Sequence, residues 1–367
     1  MEAISYVDIS AQWADERAEL LPIIDAVLSN GQYVGGAETE LFEKAAESFF
    51  GARYVVSVNS GTDALVCALF SVGVGSGDEV ITPPNSFIAS TAAIVHLGAR
   101  PVFVDVKADQ NINQDLIEAA LTPKTKAIMP VHLTGRMAAL EEICRIGKEY
   151  QLPVIEDAAQ SAGSTLDGRL AGTWGKAGCF SAHPLKNLNA CGDGGFVVTD
   201  DEVVATKIRS MRNHGLADRN TVDEFGFVSR LDSIQAAILR YRLTVLPRVI
   251  KQRKKNVALY RKLLDDNYVF HPPDKYGQDN SWHTFVIQVD QRDELRAYLS
   301  SKGIETAIHY PVPIHLQPAA QPLGYKQGDF PKAEIQAKRI LTLPVHQYLD
   351  EEKVEKISSC VNQFYES

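Results

Sequence analysis

Tyr54-Val55-Val56-Ser57-Val58-Asn59-Ser60-Gly61-Thr62-Asp63-Ala64-Leu65 opens the stretch that decides the fold. The first five residues form a short apolar run of strand type. Asn59-Ser60-Gly61 interrupts it, and a helix-like pattern follows over residues 62–70. The same exchange repeats downstream. Apolar runs fall at residues 54–58, 79–82, 101–104, 127–131, 154–156, 177–180 and 196–198. Helix-like stretches intervene at 62–70, 88–96, 114–120 and 138–150. This alternation predicts an α/β domain with a mostly parallel sheet.

Beyond this region a long helical pattern covers residues 232–264, with Pro247 inside it, so a kink or break is expected there. A smaller α+β module follows. Residues 283–289 read as a strand, 292–302 as a helix closed by Gly303, and 304–309 as another strand. The Pro-rich stretch 311–322 reads as a loop, and a last helix covers 351–364. At 367 residues the chain exceeds one usual domain. The expected division is a large unit over 1–245, including an N-terminal arm, and a small C-terminal unit over 246–367.

Hydrophobic residues at 45% and charged residues at 23% fit a soluble globular protein. A net charge of −9 argues against nucleic-acid binding but leaves an anionic ligand open, because helix N-termini bind phosphate without net positive charge. Residues 1–10 show no basic segment followed by an apolar core, and no apolar run is long enough to span a bilayer. The five cysteines have no CxxC spacing. These features point to the cytoplasm, without a membrane partner. No zinc motif, Walker loop or dinucleotide fingerprint is present, so no metal is expected.

Four features fall at strand ends, where α/β folds place ligands. In Asn59-Ser60-Gly61-Thr62-Asp63, Gly61 permits close backbone approach, and free N–H groups at a helix start suit a phosphate. By itself the segment reads as a plain capped helix start. In Val154-Ile155-Glu156-Asp157-Ala158-Ala159-Gln160 an apolar strand ends in a carboxylate. Such a carboxylate can keep a pyridine nitrogen protonated, with Gln160 on a ring hydroxyl. An N-cap or metal-ligand role for Asp157 is the alternative. In Phe180-Ser181-Ala182-His183-Pro184-Leu185-Lys186 a strand leads through Ser181 to a lysine in a turn among apolar residues, where it tends to lose its proton. Gly192-Asp193-Gly194-Gly195 marks a tight backbone passage behind it.

Phosphate loop, ring carboxylate and lysine occur in the order used by fold-type I pyridoxal-phosphate (PLP) enzymes. The chain resembles the DegT-type family of PLP-dependent sugar nucleotide aminotransferases nearly end to end. The resemblance rests on 59–65, 77–83, 101–106, 130–135, 155–160 and the Lys186 segment. It extends through Arg212-Asn213-His214-Gly215, Ser229-Arg230-Leu231-Asp232 and His309-Tyr310-Pro311. It implies a large, mostly parallel α/β domain with a smaller C-terminal α+β domain, and pyridoxal 5'-phosphate as cofactor. Lys186 would be the Schiff-base lysine and proton carrier, and Asp157 the partner of the pyridinium nitrogen. Gln160 would bond the ring oxygen, Gly61, Thr62 and Ser181 the phosphate, and Phe87 would stack on the ring. His183, Arg230, His309 and Tyr310 are candidates for the substrate side.

The implied reaction moves an amino group from glutamate to a keto group of a nucleotide-linked deoxysugar, with a lean to carbon three. It belongs to amino-sugar biosynthesis of the kind that serves lipopolysaccharide or O-antigen. A homodimer with shared sites is expected. The chain departs from the family at Val228, where an asparagine reaching the partner subunit's phosphate is expected. The other readings are a PLP-dependent sugar dehydratase, an aminocyclitol aminotransferase, and a non-catalytic regulatory protein with this fold.

Overall fold

Along each strand of the first half, successive side chains go to opposite sides of a sheet, and the two sides have separate cores. Val56, Cys179 and Val197 pack with Leu65, Leu69 and Ile208 on one face. Val55, Phe180, Phe196 and Val198 pack with Phe42, Leu239 and Leu246 on the other. The computed structural model describes residues 3–366. Residues 1, 2 and 367, which the expected two-unit division includes, lie outside the described residues.

Two long helices lead in, α1 (Ile9–Asn30) and α2 (Ala37–Phe50). Strand β1 (Tyr54–Val58) then gives way to α3 (Gly61–Ser71), β2 (Glu79–Thr82) to α4 (Ile88–His96), and β3 (Arg100–Phe103) to two short 3-10 turns. There follow β4 (Thr125–Ile128), α5 (Leu140–Glu149), β5 (Ile155–Asp157), β6 (Ala177–Ser181), β7 (Gly195–Thr199) and α6 (Glu202–Met211). One group of four strands has the order β1-β7-β6-β5, and a group of three has the order β3-β2-β4. Parallel bridges Ile128–Val154 and Val131–Asp157 join them, so four and three make one sheet of seven. Strand β7 is antiparallel to both its neighbours, and the other pairings are parallel. The expected α/β sheet is thus present, with α3, α4 and α6 packed on one face and α2 and the next helix on the other.

That helix, α7 (Ser233–Leu263), runs for 31 residues straight through Pro247. Of the kink or break expected there, the break does not occur. Leu243, Leu246, Val249 and Ile250 are buried on both sides of the proline, and this packing outweighs one missing backbone bond. Its last turns enter a second core, where Val257, Tyr260 and Leu264 meet Phe285, Ile287, Leu341 and Val361. Ile4, from the start of the chain, packs in this core too. Around it lie β8 (Val269–Phe270), β9 (Phe285–Val289), α8 (Arg292–Ser301), α9 (Pro331–Arg339), β10 (Ile340–Leu343) and α10 (Glu351–Glu366). The strand expected at 304–309 is not formed. Ile304 bridges to Ile4 and Ala307 to Thr342, so the segment divides its pairing between two partners and builds no ladder. The third strand of the small antiparallel sheet is β10, hidden in sequence as a run of four apolar and hydroxyl residues directly after a helix.

Strand β5 ends in two carboxylates on opposite faces. Glu156, fully buried, accepts from the amides of Gly172, Trp174 and Gly175, each at 2.7 Å. It also accepts from His132 Nε2 at 2.9 Å, since His132 Nδ1 is itself an acceptor for the Ala138 amide. Glu156→Ala strands four donors in the interior and is expected to cost about 3 kcal/mol or more of unfolding free energy, while Glu156→Gln costs less. Denaturant titration checks this, and an alanine variant as stable as the parent refutes the role.

Candidate active site

Where β1, β5 and β6 end, their loops enclose a cavity of about 350 Å³. Gly61, Thr62, Phe87, Asp157, Gln160, Ser181, His183, Lys186, His309 and Tyr310 all line it. Arg230 does not. It is exposed, and its Nη1 donates to Asn213 Oδ1 at 3.3 Å. Val228, two residues away, is also exposed and outside the cavity lining.

One end of the cavity is a cradle of backbone. Ser60 caps α3, its Oγ accepting from the Asp63 amide at 3.1 Å. Gly61 and Thr62, as the first helical residues, have no carbonyl in the preceding turn to receive their amides. A Cβ on Gly61 would sit 2.6 Å from Ser181 Cβ, and one on Gly195 would sit 2.4 Å from the Ser60 carbonyl carbon. Glycine at these two places lets the helix start, the Ser181 hydroxyl and the glycine passage crowd together. Free amides, a hydroxyl and a helix N-terminus suit a phosphate.

Asp157 is buried at the mouth of β5. Its Oδ2 accepts from Ser90 Oγ at 2.6 Å and its Oδ1 from the Ala159 amide at 3.2 Å. Burial pushes its carboxyl up, and Ser90, the Ala159 amide and the charge of Lys186 act against that. Lys186 is half-buried in a turn closed by its own amide on His183 O at 2.8 Å. Asn187 Nδ2 ties the turn to Ser281 O at 2.9 Å, and Asn189 Nδ2 ties it to Pro184 O at 2.6 Å. Burial of the amine lowers Lys186 to about 8, with Asp157 opposing. An amine in that range can both accept and return a proton near neutral pH.

Gln160 is oriented by its Oε1, which accepts from the Thr134 amide at 2.6 Å, leaving Nε2 towards Tyr310 Oη at 3.4 Å. Phe87 is half-exposed on the wall, its ring centroid 5.7 Å from that of Tyr310. His309 Nδ1 lies 2.9 Å from Thr342 Oγ1, and burial, then the charge of Lys186, lower it to about 4, so its ring is neutral at pH 7. His183 is exposed and its Nδ1 accepts from the Leu185 amide at 3.3 Å.

Sequence reasoning missed Tyr6, Ser90, Arg253, His283 and His346, all on the cavity wall. Ser90 lies within a short apolar helix and Arg253 within the basic run Lys251-Gln252-Arg253-Lys254-Lys255, which has the look of a solvated face. Neither stretch carries a local signal for a site.

The chain matches the model of the DegT/DnrJ/EryC1/StrS aminotransferase family over residues 14–362. It is 39% identical over 366 residues to a protein of Geobacillus stearothermophilus named a pleiotropic regulatory protein, with 99% of this chain and 98% of that one covered. It is 37% identical over 365 residues to the dTDP-3-amino-3,4,6-trideoxy-alpha-D-glucose transaminase of Streptomyces venezuelae, covering 99% and 96%. The crystal structure of S. venezuelae DesV in complex with a ketimine intermediate superposes with a TM-score of 0.98 at 37% identity, covering both chains in full.

The pairing of Lys186 with Asp157 makes a signed prediction. In the ligand-free chain, labelling of Lys186 by an amine reagent, followed by mass spectrometry, should rise with a midpoint near pH 8. Asp157 holds the proton on the amine, so Asp157→Asn should move the midpoint lower. A midpoint that rises would contradict the arrangement.

Proposed function

The chain belongs to the DegT/DnrJ/EryC1/StrS aminotransferase family, and on that premise we propose that it moves the amino group of glutamate to the keto group at carbon three of a nucleotide-linked deoxysugar. It is a PLP-dependent aminotransferase acting on nucleotide sugars. The observation that carries the amino-transfer reading is the depressed Lys186 amine in one cavity with the Asp157 carboxylate, beside the phosphate cradle. The name of the Streptomyces relative supports the lean to carbon three.

The residues fit the cofactor. The cradle at Gly61, Thr62 and Ser181, which a Cβ at Gly61 or Gly195 would fill, would hold the phosphate. Asp157, steadied by Ser90, would hold the ring nitrogen in its protonated form, and Gln160 Nε2 would donate to the ring oxygen. Phe87 would cover one ring face. When bound, PLP supplies an electron sink for a deprotonated carbon. Lys186 would anchor it covalently, then take the proton from the donor's α-carbon and return one on the other side of the transfer. His183, neutral His309 and Tyr310 would line the sugar side. Arg230, outside this chain's cavity, would meet an anionic group only across a subunit contact in a homodimer. The proposed setting is the cytoplasm, in amino-sugar synthesis for surface polysaccharide; among the described residues no helix is long and apolar enough to cross a membrane.

A regulatory protein without catalysis is the second reading, favoured by the name of the Geobacillus relative. The presence of Lys186, Asp157, Gln160 and Ser181 on one wall weighs against it.

Lys186→Ala should lose the absorption band of lysine-bound cofactor and at least about 100-fold in turnover with glutamate and a 3-keto sugar nucleotide. Near-parental turnover refutes the proposal, as does a wild-type spectrum unmoved by glutamate. Sedimentation should give twice the 40.3 kDa chain mass, and an active monomer would overturn the homodimer.

A further inference from the structure

Arg253, on α7, is a buried cation that has no counter-charge among the described residues. It is 5% exposed and lines the active cavity. Its Nη1 donates to Trp282 O at 3.2 Å and His283 O at 3.0 Å, and its Nη2 donates to Gln347 Oε1 at 3.2 Å. All three acceptors are neutral. A guanidinium has five N–H donors, so one on Nη2 and the one on Nε remain. Nε is buried and has no hydrogen-bond partner among the described residues.

The other deeply buried arginine of α7 shows the usual solution. Arg242 pairs with Glu16 at 2.7 Å. Two carboxylates line the cavity, and neither serves Arg253: Asp157 is held by Ser90 and Ala159, and Asp193 is exposed. Burial lowers Arg253 only to about 10, so it keeps its charge at pH 7. The imidazoles of His309 and His346 are pushed down to about 4 and are neutral there. Among the described residues Arg253 is therefore the uncompensated charge of this part of the wall. It is also near the chemistry, since His283 lies within electrostatic reach of both Lys186 and Arg253.

A buried charge left unpaired destabilises a fold, and its retention is accounted for when a ligand supplies the counter-ion. The cofactor phosphate has its own cradle at Gly61, Thr62 and Ser181. A nucleotide diphosphate carries bulky groups on both sides and suits exposed cations. A carboxylate is small and planar, and it can accept a charge-assisted hydrogen bond from the N–H left on Nη2. We propose that Arg253 binds a carboxylate of the amino donor and thereby selects an amino acid for the first half of the reaction. This rests on the aminotransferase reading above.

Glutarate, a dicarboxylate without an amine, tests the site independently of turnover. Calorimetry on the PLP-loaded enzyme should show glutarate binding to the parent. Binding should weaken roughly 10- to 100-fold in Arg253→Gln and less in Arg253→Lys, which keeps the charge and loses the fork. Cofactor affinity and the KM for the keto sugar should stay within about twofold, since the lost contact is to the donor alone. A crystal soaked in glutarate should show a carboxylate on Arg253, which decides the matter even if a variant folds poorly. The KM for L-glutamate should rise without a matching fall in kcat. A parallel rise for L-glutamine assigns the α-carboxylate, and a rise for glutamate alone assigns the side-chain carboxylate. If the parent binds no glutarate, or Arg253→Gln binds it as the parent does, Arg253 merely braces the Trp282–His283 backbone and the inference is overturned. If glutarate binds through Arg253 and glutamate never converts the cofactor, the donor reading fails while the carboxylate site stands.

Discussion

A buried carboxylate and a half-buried amine line one cavity, and the rest of the site is arranged around them. Burial raises Asp157 and lowers Lys186, while the charge of each opposes the shift of the other. In water, at a normal lysine value, the amine would be a poor base; in the cavity it falls to about 8, near the range where proton transfer in both directions is efficient. Ser90 and the Ala159 amide bond the carboxylate oxygens and so offset part of the desolvation of Asp157.

The sheet makes this pairing possible. β5 ends between β4 and β6, and period-2 alternation sends Glu156 and Asp157 to opposite faces. Glu156 is consumed in structure, holding the 172–175 loop and His132. Asp157 is left facing the cavity. Two adjacent acidic residues thus divide into one that braces the interior and one that faces the cavity. Their partners decide which is which, since the two carboxylates are chemically alike.

Much of the site was legible because it is local. Gly61 and Thr62 follow a strand, Asp157 ends one, and Ser181 and Lys186 lie just beyond a third, so each is marked by a change of pattern at a strand end. Ser90 and Arg253 had no such mark. A serine inside an apolar helix and an arginine inside a basic run look the same whether they face solvent or a cavity. Arg230 stands apart from these: it lies in a motif that fits the family, and in the single chain it bonds Asn213 on the exposed surface, outside the cavity lining. The fold shows the same division. The alternating strands and helices were readable, whereas the strand expected at 304–309 dissolved into two separate bridges and β10 took its place.

The sequence by itself determined the periodicities, the helix cap at Ser60, the glycines at close approaches and the type and order of the chemical groups. These depend on residues a few positions apart. The tertiary structure decided which groups share a cavity, which charges lose their water, and which of those find a counter-charge. Asp157 and Ser90 are joined across 67 positions, and Arg253 reaches Gln347 across 94. Desolvation is a property of everything packed around a group, so the depressed amine of Lys186 and the unpaired charge of Arg253 exist only once both cores have closed.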